Sequence, residues 1–262
     1  MENKEKKIAL IIVEGGSDRY AFQKCINNYL SSLSSQANIE CEVYDTDIRI
    51  HDFRSEKIIP TDDIDEEDIK KRICESITNF LAEQKGTYIN IKDIVAVAIL
   101  CDLDACYCKD SDIVSIPSNT DKYDLANKKF NAKDVPFQSD LNRWKRDSHE
   151  LLLNSVKTII YKDADNNKTI LPIKCFYQSI NLEHITSNDP NILDEDLKSI
   201  KAKDFRNSYK NKPSDFYSLI NSLSLIGYDY ETSWNRIDLE NKSFERMANI
   251  KYLIDWIVSV AQ

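Results

Sequence analysis

Two long apolar runs stand out from an otherwise mixed pattern of apolar and polar residues. "KIALIIV" (7–13) and "IVAVAILC" (94–101) carry no charge after Lys7 and are rich in β-branched side chains. Apolar runs of this length without alternation predict strands that are buried on both faces of a parallel sheet. Each run leads directly into carboxylates, in "EGGSD" (14–18) and in "DLDA" (102–105).

Apolar residues at helical spacing occupy the chain between these two strands. One helix is predicted from an N-cap at Ser17 through Leu33, and another from Ile69 to Leu81. Between them, "IECEVYDTDIRI" (39–50) alternates in the manner of a strand or a hairpin. This order of strands and helices predicts a Rossmann-like parallel sheet with right-handed crossovers.

The rest of the chain divides into a polar stretch and a helical part. Residues 106–137 are rich in Asp, Asn, Lys and Ser, and they predict a long loop or insertion. A helix over 138–157 and a strand over 168–177 follow, and further helices are predicted over 192–210, 214–226 and 243–260. We therefore predict an α/β domain over 1–180, with a mostly parallel sheet flanked by helices, and a helical extension packed on it over 181–262.

Composition restricts the partners of the protein. The chain has 35 Lys and Arg against 44 Asp and Glu, a formal charge of −9, which repels nucleic acid unless basic residues cluster or metal ions intervene. No apolar run is long enough to cross a bilayer, so no membrane association is expected. Seven cysteines, an odd number without a secretory signal, favour a cytoplasmic location.

The carboxylates that follow the two apolar strands are the strongest candidates for chemistry. Glu14 follows the first strand, and Asp102 and Asp104 follow the second. The carboxyl ends of parallel strands meet at one edge of a sheet, and residues i and i+2 of an extended strand point to the same side. Adjacent carboxylates of this kind suit a hard divalent cation, so the sequence predicts a Mg²⁺ or Mn²⁺ site.

Two further acidic residues are placed to support that site. Asp18 lies in the first turn of the predicted helix, where an acidic residue is also favoured by the helix dipole. Glu183 follows the last predicted strand, beside His184, although a Glu–His pair at a helix start is commonly a cap or a surface pair. We expect Asp18 and Glu183 to contact either the residues that bind the metal or the metal itself.

These motifs resemble the TOPRIM domain of topoisomerases, primases and OLD-type nucleases over about residues 7–105. The resemblance implies that Glu14 acts as a general acid/base or metal-linked glutamate and that Asp102 and Asp104 bind the metal. It implies Mg²⁺- or Mn²⁺-dependent hydrolysis of phosphodiester bonds in DNA or RNA, a tRNA included. The helical remainder resembles small stand-alone TOPRIM-like proteins of phage defence, which implies a role in anti-phage defence or abortive infection, in a protein that can form oligomers.

Two other functions are compatible with the sequence. The negative charge favours a TOPRIM-like subunit that does not cleave but binds a partner or senses a signal, for example beside an ATPase. The D-L-D motif also occurs in metal-dependent nucleotide-sugar transferases.

One basic segment, "KSIKAKDFRNSYKNK" (198–212), has two interpretations. It either contacts nucleic-acid phosphates or forms an amphipathic helix whose basic face is solvated and whose aromatic residues lie in the core. The candidate contacts are Lys198, Lys201, Lys203, Arg206, Lys210 and Lys212.

Overall fold

The protein is an α/β structure with a mostly parallel sheet between two layers of helices. The structure, a computed structural model, describes residues 7–33, 39–46, 65–84, 89–116, 121–224, 227–239 and 242–261. The strands are β1 (Lys7–Val13), β2 (Ile39–Asp45), β3 (Ile94–Asp102), β4 (Ile113–Ser115), β5 (Tyr123–Asp124), β6 (Lys129–Ala132), β7 (Thr158–Lys162) and β8 (Lys168–Gln178). The helices are α1 (Gly16–Ser32), α2 (Glu66–Glu83), α3 (Val135–Asn154), α4 (Leu182–Ser187), α5 (Glu195–Tyr209), α6 (Pro213–Leu223), α7 (Tyr230–Leu239) and α8 (Ile250–Ala261).

The main sheet has five strands in the order β2-β1-β3-β8-β7. The first four are parallel to one another, and β7 at the edge runs antiparallel to β8. From β1 the chain crosses to β2 on one side and then to β3 on the other side of β1. The carboxyl ends of β1 and β3 therefore flank the point where the winding direction reverses, which is where open α/β sheets form crevices.

Alternate residues of the central strands are buried in two different hydrophobic cores, one on each face of the sheet. Ala9 and Ile11 of β1 face a core that contains residues of α1, α5, α6 and α8. Leu10 and Ile12 face the opposite core, with residues of α2, α7 and β7. Burial on both faces explains why the β1 and β3 sequences read as continuous apolar runs.

The C-terminal segment is tied directly to the end of β8. The backbone N–H of Tyr177 donates to Asn249 Oδ1 at 2.7 Å, and the Asn249 N–H donates back to Tyr177 O at 3.0 Å. Gln178 forms an isolated antiparallel bridge with Ala248. The helical extension is thus hydrogen-bonded to the central sheet at the strand end nearest to the crevice.

The structure corrects several predicted elements. Helix α1 begins at Gly16 with Gly15 as its N-cap, so Ser17 is not the cap. The segment 106–137 is not one long loop, because it contains the small sheet β4-β6-β5 and the start of α3. The edge strand β7 and helix α7 were not predicted, and the last helix begins at Ile250, later than expected.

Two further predictions concern the end of the 39–50 strand and the length of the helices. The second half of the predicted 39–50 strand, residues 47–50, lies outside the described residues, and β2 covers 39–45. Within the described ranges, every helix is too short or too polar to span a bilayer.

Candidate functional site

An acidic cleft of about 480 Å³ lies at the carboxyl ends of β1 and β3. Residues from β1, α1, β2, β3, α4 and α5 or from the turns beside them form its walls. Six carboxylates and, among the described residues, one lysine line it: Glu14, Asp18, Asp45, Asp102, Glu183, Glu195 and Lys198. Negative charge at this density favours bound cations over anions.

Glu14 and Asp102 are brought together by the pairing of their strands. In the parallel β1–β3 register Val13 lies opposite Leu100, so the residues that follow them reach the same edge. Glu14 Oε1 accepts a hydrogen bond of 2.7 Å from the backbone N–H of Asp102. The glutamate that the sequence singled out therefore sits at the start of the β3 exit turn, beside the Asp102 carboxylate.

Gln178 links the two aspartates of the cleft. It is the last residue of β8, it pairs with Asp102 in the register of β3 and β8, and its side chain is 1% exposed. Its Nε2 donates to Asp18 Oδ1 at 2.5 Å and to Asp102 Oδ1 at 2.7 Å. Its Oε1 is buried without a hydrogen-bond partner among the described residues. Sequence reasoning missed Gln178, because only the strand register reveals that it ends beside Asp102.

Burial raises the proton affinity of the acidic residues deepest in the cleft. The pKa of Asp18 is raised to about 7, because burial and the nearby Glu183 carboxylate together outweigh the hydrogen bond from Gln178, which lowers it. Burial also raises the pKa of Glu183 above its ordinary value. At both positions a bound proton or cation is more favourable than a carboxylate whose charge is not compensated.

Asp104 does not enter this cleft, and the expectation that it extends β3 beside Asp102 is wrong. The strand ends at Asp102, and Asp104 and Ala105 take the left-handed conformation, with φ of 48° and 54°. The backbone N–H of Leu103 donates to Ser179 O at 2.8 Å, and that of Asp104 donates to Ile180 O at 2.9 Å. These bonds to the chain after β8 turn the D-L-D motif before its second aspartate can follow the first.

Asp104 instead belongs to a polar cluster under the small sheet. Its carboxylate forms an ion pair with Lys145 of α3, whose side chain is 9% exposed, and accepts a hydrogen bond of 3.2 Å from the Tyr123 hydroxyl. Lys122 lies 4.9 Å from the centroid of the Tyr123 ring. Burial lowers the pKa of Lys122, while Asp104 and Asp102 act in the opposite direction. The small sheet thus brings positive charge toward the strand ends.

The basic segment splits between two environments. Lys198 lines the acidic cleft and pairs with Glu195 at 2.8 Å. Arg206 lies over the ring of Tyr20, 4.4 Å from its centroid, and Phe205 is buried against Phe22. Of the other basic candidates, Lys201 lines a separate hollow of about 280 Å³, and Lys203, Lys210 and Lys212 do not line the acidic cleft.

The donor atoms of the cleft are oxygens of carboxylates, the ligands that Mg²⁺ and Mn²⁺ prefer. In the part of the chain that the structure describes, no three His, Cys, Asp or Glu side chains are already grouped to hold a metal ion. The Gln178 amide nitrogen occupies the space between Asp18 and Asp102. The ligand types fit a cation, and the Gln178 amide already bridges two of the carboxylates.

Comparison of the chain with models of protein families, with curated proteins and with solved structures found no match.

Proposed function

We propose that the protein hydrolyses phosphodiester bonds of DNA or RNA with Mg²⁺ or Mn²⁺ bound in the acidic cleft. The observation that carries this proposal is the convergence of Glu14, Asp18 and Asp102 at the reversal point of a parallel sheet. The order of β1, "EGGSD", α1 and β3 supports a TOPRIM-like version of the fold. As a setting we propose cytoplasmic anti-phage defence.

Charge explains why a cation is central to the proposal. A chain of formal charge −9 that presents six carboxylates in one cleft repels a phosphodiester. A bound divalent cation would neutralise the scissile phosphate and stabilise charge on the leaving oxygen. Without a cation, the negative charge of the cleft opposes binding of a nucleic-acid backbone.

The residues of the chain have separate roles in this proposal. Asp18 and Asp102 would hold the cation. Glu14, hydrogen-bonded to the backbone of Asp102, would either bind a metal or act in proton transfer as a general acid or base. Lys198 in the cleft wall and Lys122 beside it offer positive charge to the phosphates that flank the scissile bond.

The close approach of a phosphate is helped by the start of α1. Gly15 and Gly16 line the cleft without side chains, and Gly15, as the N-cap, contributes no side-chain hydrogen bond to the helix. The N-terminal end of α1, which carries partial positive charge, therefore borders the volume in which an anion coordinated to the cation fits.

A cleavage assay tests the proposal. The purified chain is incubated with single- and double-stranded DNA, RNA and tRNA, in Mg²⁺, in Mn²⁺ and in EDTA. E14Q and D102N should abolish metal-dependent cleavage and leave the melting temperature within a few degrees of wild type. D255N, which removes an exposed carboxylate on α8 outside the cleft, is the matched control and should cleave normally. Full cleavage by E14Q and D102N would refute the proposal.

One feature favours the second candidate, a subunit that binds a partner and does not cleave. Leu193, Leu197 and Ile200 are 75%, 39% and 52% exposed, and the last two lie on α5, the helix that also contributes Lys198 to the cleft. An apolar strip beside the cleft suits a protein partner such as an ATPase. This alternative predicts cation binding without cleavage by the isolated chain, and a complex on gel filtration that L197D/I200D disrupts.

A further inference from the structure

The side chain of Gln178 bridges Asp18 and Asp102 from the buried side of the cleft. Its Nε2 reaches both carboxylates, at 2.5 Å and 2.7 Å, and so donates both of its hydrogens to anions. An amide NH₂ group carries partial positive charge, and here it offsets the negative charge of the two carboxylates. Gln178 is 1% exposed, so this bridge is shielded from bulk solvent.

The other end of the same amide is poorly accommodated. Gln178 Oε1 is buried and has no hydrogen-bond partner among the described residues. A buried carbonyl without a donor is unfavourable, and native structures contain few of them. The two carboxylates therefore hold the amide in this orientation even though its oxygen is left unpaired.

The two ends of an amide have nearly the same shape but opposite hydrogen-bonding character. Turned by half a rotation, the Gln178 side chain would point Oε1 at two carboxylates, and the three oxygens would repel one another. A divalent cation placed among them reverses this preference, because Mg²⁺ and Mn²⁺ accept amide oxygens as ligands. The presence of a cation thus selects one of two orientations of the same group.

We propose that the Gln178 amide bridges Asp18 and Asp102 in the metal-free protein and turns on metal binding, so that its oxygen becomes a ligand of a cation held between the two carboxylates. This inference rests on the proposed function, because it requires that the cleft binds a divalent cation.

The backbone around Gln178 permits this turn without wider change. Gln178 pairs with Asp102 on one side, and its carbonyl accepts from the Leu103 N–H at 3.2 Å. It bridges to Ala248 on the other side. Only the terminal amide has to rotate, so the site is rigid except for one torsion.

Substitutions that keep the length of the side chain test the proposal. Q178M removes both amide ends, and Q178E replaces the amide by a carboxylate that is a stronger metal ligand. Affinity for Mn²⁺ is measured by calorimetry at pH 8. Q178M should bind at least tenfold more weakly than wild type, and Q178E should bind as tightly as wild type or more tightly. The proposal is overturned if Q178M binds as tightly as wild type, or if Q178E binds no better than Q178M.

Q23M is the matched control. Gln23 also donates from Nε2 to a carboxylate, Glu42 Oε2 at 2.7 Å, but Glu42 is not one of the carboxylates that line the cleft. Q23M should bind Mn²⁺ with wild-type affinity, which shows that loss of a Gln–carboxylate hydrogen bond elsewhere has no effect on the site.

A second measurement uses the wild-type protein and does not depend on how the variants fold. The ¹⁵N-labelled side-chain amide signals of Gln178 are followed while Mg²⁺ is added. They should move upfield in the proton dimension as the NH₂ group leaves the carboxylates, whereas unchanged signals at saturating Mg²⁺ overturn the proposal. Wild type that binds neither Mg²⁺ nor Mn²⁺ refutes the proposed function itself, which is a different result from tight binding that ignores Gln178.

Discussion

At the scale of single residues, Asp18 is the carboxylate at which a proton would compete with the proposed cation. Burial raises its pKa to about 7, so near neutral pH much of the population carries a proton that a metal has to displace. We expect Mn²⁺ affinity to rise with pH through this range, by about tenfold per unit below pH 7. Calorimetry at pH 6, 7 and 8 measures this slope.

D18N is the comparison, because an amide cannot be protonated in this range. The variant should bind Mn²⁺ more weakly at pH 8, with a much flatter pH dependence. A slope unchanged in D18N would assign the titration to another group, such as Glu183.

The same pKa has a consequence for folding in EDTA. The ordinary pKa of Asp is 3.8, so between about pH 4 and pH 7 the unfolded chain releases a proton that the folded chain retains. Stability from protonated Asp18 is complete below that range and is lost as the pH rises toward 7. Urea unfolding should therefore show wild type losing more stability than D18N between pH 4 and pH 8.

Asp104 has a structural role that can be separated from metal binding. Its ion pair with Lys145 is largely buried, and removal of one partner of such a pair costs about 3–5 kcal/mol. We expect K145M to be strongly destabilised in urea unfolding and D104N/K145M to recover much of the loss. D104N should keep Mn²⁺ affinity within about threefold of wild type, whereas D102N should lose it. Loss of Mn²⁺ binding in D104N with normal stability would return Asp104 to the metal site.

At the scale of elements, the sequence was sufficient for the central strands and insufficient for the turns between them. β1 and β3 were predictable because burial on both faces leaves a continuous apolar run. The end of β3 could not be predicted. It is set by hydrogen bonds from Leu103 and Asp104 to the chain after β8, about 75 residues away. Strand periodicity assumes that the strand continues, so it placed Asp104 beside Asp102.

The start of α1 offers a comparison between two neighbouring glycines. A Cβ at Gly15 would lie 3.3 Å from Asp18 Oδ2 and would push that carboxylate aside, whereas a Cβ at Gly16 meets Asp45 Oδ2 at an ordinary 3.4 Å. We expect G15A to fold but to bind Mn²⁺ several-fold more weakly. G16A, already in the helix, should bind normally and gain about 0.5 kcal/mol of stability. Calorimetry measures the Mn²⁺ affinity of both variants, and thermal unfolding measures their stability. Equal Mn²⁺ affinities of G15A and G16A would argue against Asp18 as a ligand.

The aromatic residues of α5 illustrate the value and the limit of helical patterns. Phe205 lies in the core, as the amphipathic interpretation expected, while Lys198 of the same helix reaches the cleft. The pattern identified the buried face of the helix. It did not distinguish which lysine of the exposed face borders the acidic residues, since that depends on how α5 packs on α1.

At the scale of the whole molecule, like charges gathered in one cleft oppose folding, and a bound cation would reduce this repulsion. Any cation that binds the folded chain alone stabilises it, by about 2.7 kcal/mol at a hundred times the dissociation constant. We expect Mg²⁺ or Mn²⁺ to raise the melting temperature of wild type and of D255N by several degrees, and EDTA to reverse the rise. Ca²⁺ and Na⁺ at equal ionic strength serve as controls for charge screening, and D102N should show little response. A D102N response equal to that of wild type would place the bound cation elsewhere.

The strand end at Gln178 also fixes when the cleft can form during synthesis. The hydrogen bond between Tyr177 and Asn249 spans 72 residues of sequence, and Gln178 bridges to Ala248 beside it. A chain still growing on a ribosome can pair β1 with β3 as soon as both have emerged, but the end of β8 lacks these partners until Asn249 has been made, 72 residues after Tyr177. The strand end that borders the cleft is therefore completed only after this later segment has been made.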